Sequence, residues 1–256
     1  MSVLTGRVPR AFLLPAVLGL GALSLASASA DPARTQQQAE QAPSVAQAGL
    51  KFGFYVGDEQ QPTTSHVAKL DSDITFPQGR FDGMILGFSG KVPITGKLAI
   101  PPTSSYFVSF RFMPATGDVE LIPDGDATGT VHVKTGNTGD CKAVGTRICA
   151  DSDVTNKVFI KLSNVKVDGK VLDVGPNCRT AQSATVNIKA LMPLEFPAPS
   201  VKVTSTFATP AFTGCGVRED LSPLLTGLVS GPGNTLVTNL KLRCVGSGGP
   251  PNGCGA

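Results

Sequence analysis

Six cysteines, two histidines and a few paired acids are the groups in this chain whose type and spacing invite chemistry. Thiol catalysis needs an unpaired cysteine, and the even count argues against one. Ser163-Asn164-Val165-Lys166 matches S-x-x-K and Lys134-Thr135-Gly136 matches K-T-G. In penicillin-interacting enzymes that Ser opens a helix and K-T-G follows on a later strand. Here Ser163 lies inside a strand pattern and K-T-G comes first. No G-x-S-x-G elbow occurs, nor the βα alternation that would carry it. His132 sits between Val131 and Val133 and so faces away from them, as a solvated strand residue; His66 opens a strand after PTTS. Asp124-Gly125-Asp126-Ala127-Thr128-Gly129 has the first half of a calcium loop, but the twelfth position is Thr135, where a bidentate Glu is needed. The D-x-D-x-T of haloacid dehalogenase-type phosphatases requires a parallel α/β sheet. Asp71-Ser72-Asp73 and Asp151-Ser152-Asp153 are the kind of acid pairs that turns collect for conformational reasons. Glu120 and Glu195 could serve glycoside hydrolysis only if folding faced them. The expectation is no catalytic residue, no metal ligand and no cofactor.

The cysteines then read as structure. Residues 1–30 have the order of a secretory signal peptide: Arg7 and Arg10, the apolar stretch AFLLPAVLGLGALSLA, and the small-residue cleavage site Ala28-Ser29-Ala30. No later segment is apolar and long enough to span a bilayer, so no membrane span is expected once the signal is removed. Disulfides form in the compartment such a signal implies. Cys141, Cys149, Cys178, Cys215, Cys244 and Cys254 allow fifteen pairings. The spacing favours neighbours: 141–149, 178–215 and 244–254. Those bridges would close loops of about 9, 38 and 11 residues and contribute at most roughly 2.6, 3.9 and 2.8 kcal/mol. Zinc is a poor alternative, because no C-x-x-C occurs and both histidines are remote in sequence.

The net charge of +3 falls to +1 when Arg7 and Arg10 leave with the signal. Lys157, Lys161, Lys166, Lys170, Lys189, Lys202 and Lys241 are scattered singly along strands. Neither feature attracts nucleic acid.

Residues 31–49, rich in Gln, Ala and Pro, read as a disordered tether. From Leu50 the period is two. KVPITGKLAI (91–100) alternates Val92, Ile94, Leu98 and Ile100 with polar residues. SYFVSFRFM (105–113) puts Tyr106, Val108, Phe110 and Phe112 on one face, with Tyr106 expected in the core. KVFIKLSNVKVDGKVLDV (157–174) turns Val158, Ile160 and Leu162 one way, and Asp168-Gly169 is a two-residue hairpin signal. SATVNIKAL, VKVTSTFAT and NTLVTNLKLR continue the pattern. Such runs, broken by Gly and Pro, predict an all-β protein: an antiparallel, Greek-key-like β-sandwich over 50–244 with about nine to eleven strands. Segment 135–156 reads as a long loop stapled by 141–149, and 245–256 as a coil tail. Ser222-Pro223 suggests an N-cap and first helical position for at most one turn near 222–227. Thr226–Ser230 and 234–243 then read as a hairpin around Gly231-Pro232-Gly233.

Val171 to Thr180 (VLDVGPNCRT), Phe212-Thr213-Gly214-Cys215-Gly216, Glu219 to Thr226 (EDLSPLLT) and Ser230 to Asn234 (SGPGN) together resemble a group of uncharacterised secreted proteins of high-GC Gram-positive bacteria. The likeness covers 157–240 well and the N-terminal half loosely. It implies a signal peptide, an exported β-rich domain and a Cys178–Cys215 bridge. It carries no activity with it.

The function expected from the sequence is that of a secreted, non-catalytic protein of the cell envelope or extracellular space, structural or binding a partner there. Two alternatives compete with it: a carboxylate-based extracellular hydrolase, and an inhibitor of secreted proteases presenting 135–156. Sugar binding commonly uses aromatic platforms, and this chain has no Trp and two Tyr, Tyr55 and Tyr106.

Overall fold

Alternate residues of a strand point to opposite faces, so a period-two sequence buries one face and wets the other. Strand β5 (Lys91–Ala99) shows the rule plainly: Val92, Ile94 and Gly96 are buried, and Lys91, Pro93, Thr95 and Lys97 are exposed. The computed structural model describes residues 49–109, 112–136, 139–247 and 254. The expected signal peptide, nearly all of the tether and most of the tail lie outside the described residues.

Before β5 come β1 (Leu50–Val56), β2 (Thr63–Val67), β3 (Ser72–Phe76) and β4 (Gly79–Ile85). After it follow β6 (Thr103–Ser109), β7 (Met113–Pro123), β8 (Ala127–Thr135), helix α1 (Gly139–Ala143) and β9 (Ile148–Val167). Next are β10 (Lys170–Val171), β11 (Arg179–Thr180), β12 (Ala184–Pro193), β13 (Val201–Thr209) and β14 (Phe212–Thr213). Helix α2 (Ser222–Val229) and β15 (Gly231–Ser247) end the fold. Every pairing is antiparallel. The protein is all-β, as the alternation predicts.

Two long strands organise the rest. The first half of β9 pairs with β8 and β12, and its second half with β7 and β11. The first half of β15 pairs with β13 and β2, and its second half with β1. Strands β4 and β5 connect β1 to β8. The sheet folds over until β12 and β13 run side by side, where the Ser205 hydroxyl donates to the Asn187 carbonyl at 2.7 Å. Two buried clusters result. One gathers Phe52, Phe54, Ile85, Ile94, Val154 and Leu242. The other gathers Phe76, Val119, Leu162, Phe212, Leu221 and Leu225 around Cys178 and Cys215.

Several local expectations are corrected. The described residues hold fifteen strands; the strand expected to open at His66 begins three residues earlier as β2 at Thr63, β3 and β4 come from sequence with few apolar runs, and β10, β11 and β14 are two residues each. Helix α2 has eight residues and α1 adds a second helix, against the single turn expected. The N-cap of α2 is Leu221, one residue early, because Asp220 Oδ1 accepts the Ser222 N–H at 2.9 Å while the Ser222 hydroxyl is drawn away to accept the Cys215 N–H. Residues 226–230 complete that helix instead of pairing as a hairpin arm, and β15 begins at Gly231. Strand β15 also runs on to Ser247, past the expected start of the tail, because β1 pairs with it up to Leu50↔Ser247.

Tyr106 is 61% exposed, the reverse of its expected place. Residues facing each other across an antiparallel pair share a side of the sheet. Phe107 faces the buried Ala115 and Thr103 faces the buried Val119, so Tyr106, opposite Thr116, must point out. The Asp168-Gly169 turn forms as predicted, both residues taking positive φ (50° and 72°).

Candidate functional site

The cysteines stand in three bonds: Cys141–Cys149, Cys178–Cys215 and Cys244–Cys254. Cys141, Cys149 and Cys178 are fully buried, Cys215 and Cys244 nearly so. No described cysteine is free. The expected 135–156 loop is shorter than its sequence suggests, since α1 occupies 139–143 and β9 begins at Ile148. Glu195 holds its end by accepting the N–H groups of Arg147 and Ile148. The Arg147 N–H above all keeps that carboxyl below its ordinary value.

The other chemistry-bearing residues are dispersed. Lys134 of the K-T-G triplet is bound to Asp140 at 2.7 Å and Asp151 at 3.4 Å, and the Asp140 contact chiefly raises its pKa. Ser163 and Lys166 lie on β9, with no helix beneath them. His66 Nδ1 is 2.9 Å from Asp73, and His132 sits on β8 opposite Asp151. Asp124 and Asp126 are exposed between β7 and β8. Glu120 on β7 pairs with Lys161 at 3.2 Å, whereas Glu195 follows β12 and binds Arg147. Among the described residues, no three His, Cys, Asp or Glu side chains group closely enough to hold a metal ion.

What the fold does assemble is a cavity of about 160 Å3 in the interior, lined from both buried clusters. Phe52, Ile85 and Ile94 contribute from one cluster; Phe76, Val119 and Leu162 from the other. Among the described residues, no charged side chain is in the lining. Its polar residues are Thr63, Ser65, Ser152, Asn156, Thr209 and Thr238. Four of these are bonded within the protein. The Thr63 and Thr238 hydroxyls are 2.7 Å apart, Ser152 donates to the Ala190 carbonyl, and Thr209 Oγ1 accepts from Asn234.

Asn156 differs. It is 9% exposed, and its Oδ1 is buried without a hydrogen-bond partner among the described residues. It sits where β9 passes from one set of neighbours to the next: Thr155 is opposite Thr128 of β8, and Val158 is opposite Pro123 of β7. The sequence reading leaves Asn156 at the end of a loop. The signal that finds it is the alternation of β9 carried backward: Leu162, Ile160 and Val158 share a face, so Asn156 and Val154 must share it too. All five line the cavity.

Comparison with known protein families, with curated proteins and with solved structures finds no match to this chain.

Proposed function

We propose that this is a secreted, non-catalytic binding protein of the cell envelope or extracellular space, and that its partner is a small apolar molecule held inside the fold. The cavity carries this reading. Its volume of about 160 Å3 is close to the roughly 150 Å3 of an engineered Leu/Ile/Phe-lined cavity that stays dry and takes up benzene. A well-formed apolar pocket with a few polar groups is the usual form of a small-molecule site. The three disulfides suit an oxidising compartment, and the amino-terminal signal pattern supplies the route there. Glu120 is engaged with Lys161 and Glu195 with Arg147, so each of these two acids faces a base.

Thermal unfolding with dissolved hydrocarbons tests the proposal. Toluene at roughly ten times its Kd is expected to raise Tm by about 3–6 °C, because a ligand that binds only the folded state stabilises it by mass action. If neither benzene, toluene nor a longer alkylbenzene shifts Tm or gives heat of binding, the reading fails.

A further inference from the structure

We infer that the molecule held in the cavity is a neutral hydrocarbon bearing one hydroxyl group, and that Asn156 receives that hydroxyl. The inference rests on the cavity being the binding site proposed above.

None of the described residues lining the cavity is charged, so an ionised carboxylate, phosphate or ammonium would leave water with no opposite charge among them to meet it. Burying an unpaired ion is so costly that such a ligand would enter, if at all, only in neutral form. The body of the ligand must be hydrocarbon, because Phe, Ile, Leu and Val side chains make up most of the wall.

The polar end follows from Asn156. A buried amide oxygen left without a donor is costly, and buried polar groups in folded proteins are almost always paired. A buried asparagine on β15, Asn234, obeys that rule fully: it accepts from the Ala68 N–H and donates to Thr209 Oγ1 and the Gly231 carbonyl, each at 3.0 Å. Asn156 lines the cavity with its acceptor unmet. A hydroxyl donates to the amide oxygen and can also accept from the amide nitrogen, so it suits either orientation of the amide. The Thr63–Thr238, Ser152 and Thr209 hydroxyls already have partners, and of the two remaining polar residues in the lining, Ser65 and Asn156, it is Asn156 whose buried acceptor is unmet, which makes it the group that fixes where the ligand's polar end lies.

The test uses toluene and benzyl alcohol, near-equal in shape and differing by the hydroxyl. Their binding to the disulfide-bonded protein and to its Asn156→Leu variant is measured by titration calorimetry. Asn156→Leu is expected to weaken benzyl alcohol about 3- to 10-fold relative to toluene, the effect of one buried hydrogen bond. Benzylammonium, the charged analogue, is expected to bind neither protein. If the substitution leaves the alcohol-to-toluene ratio unchanged while toluene binds, the hydroxyl assignment is overturned and the cavity reading survives. If neither neutral probe binds the parent protein, both fall. Should Asn156→Leu fail to fold, the smaller Asn156→Val serves the same comparison. In the parent protein the Asn156 side-chain amide resonances should move with benzyl alcohol and not with toluene; equal movement with both overturns the assignment.

Discussion

Asn234 and Asn156 are both more than nine-tenths buried and both sit on a long strand at the centre of the sheet, yet they do opposite things. Asn234 lies near a region where side chains meet several backbone groups outside the ladders. Phe212 N–H donates to the Thr226 hydroxyl, Cys215 N–H to Ser222, Ile160 N–H to Thr180, and the Ser230 hydroxyl donates to the Pro210 carbonyl. The Cys178–Cys215 bond and helix α2 close that end over Leu221 and Leu225. Asn156 lies on the wall of the gap that the two apolar clusters leave between them, its buried acceptor without a partner among the described residues. One region uses polar groups to complete a structure; the other leaves one available. A buried polar group is therefore no guide to function until its partners are counted.

The sharpest break in the comparison comes from removing the brace. Replacing Cys178 and Cys215 together by Ala should cost about 4 kcal/mol in denaturant unfolding, the loop-closure figure for a loop of this length. The asparagines separate next. Asn234→Ala strands the Ala68 N–H and two acceptors and should cost about 2–3 kcal/mol, while Asn156→Leu removes an unmet acceptor and should stabilise by about 1 kcal/mol. Equal losses at the two sites in the same assay would erase the contrast. Gly216→Ala should cost about 2 kcal/mol: its φ is +100°, and an added Cβ would lie 1.9 Å from the Glu219 carbonyl oxygen. On the cavity side, Ala150→Val should stabilise by about 0.5–1 kcal/mol by filling space, and toluene titration should show weaker binding.

The smallest effect concerns pH. Glu195 has its carboxyl held below the ordinary 4.5, first by the Arg147 N–H. A depressed folded-state pKa contributes stability that is present above the unfolded value and lost as pH falls through the folded one. Stability should therefore decline below about pH 4.5, and Glu195→Gln should flatten that decline slightly. Unfolding midpoints between pH 3 and 6, compared for the two proteins, measure the difference.

Much of the braced region is readable from its residues. The neighbouring cysteines, the Asp168-Gly169 turn and the alternation of β12 and β13 are local signals, and local chemistry is enough to interpret them. The readings that failed depended on partners far along the chain. Tyr106 points outward because β7 sets the register of β6. Residues 226–229 are helical, with Ser230 as the extended C-cap, because the chain folds back to let Thr226 meet Phe212 and Leu225 enter the second cluster. The candidate site was the least legible part: Asn156 carries no motif and follows a Gly-, Asp- and Thr-rich stretch that reads as loop.

By itself, then, the sequence determines an all-β chain and favours cysteine pairs in neighbouring positions, because a two-residue period and short cysteine spacings are properties of the chain read locally. It also turns Val158, Ile160 and Leu162 to one face. Only the tertiary structure decides that this face is covered by another layer, and that the cover leaves a gap at Asn156. The physical reason is that periodicity sorts side chains into two faces, whereas burial depends on which distant strand lies opposite and how completely its side chains fill the space between.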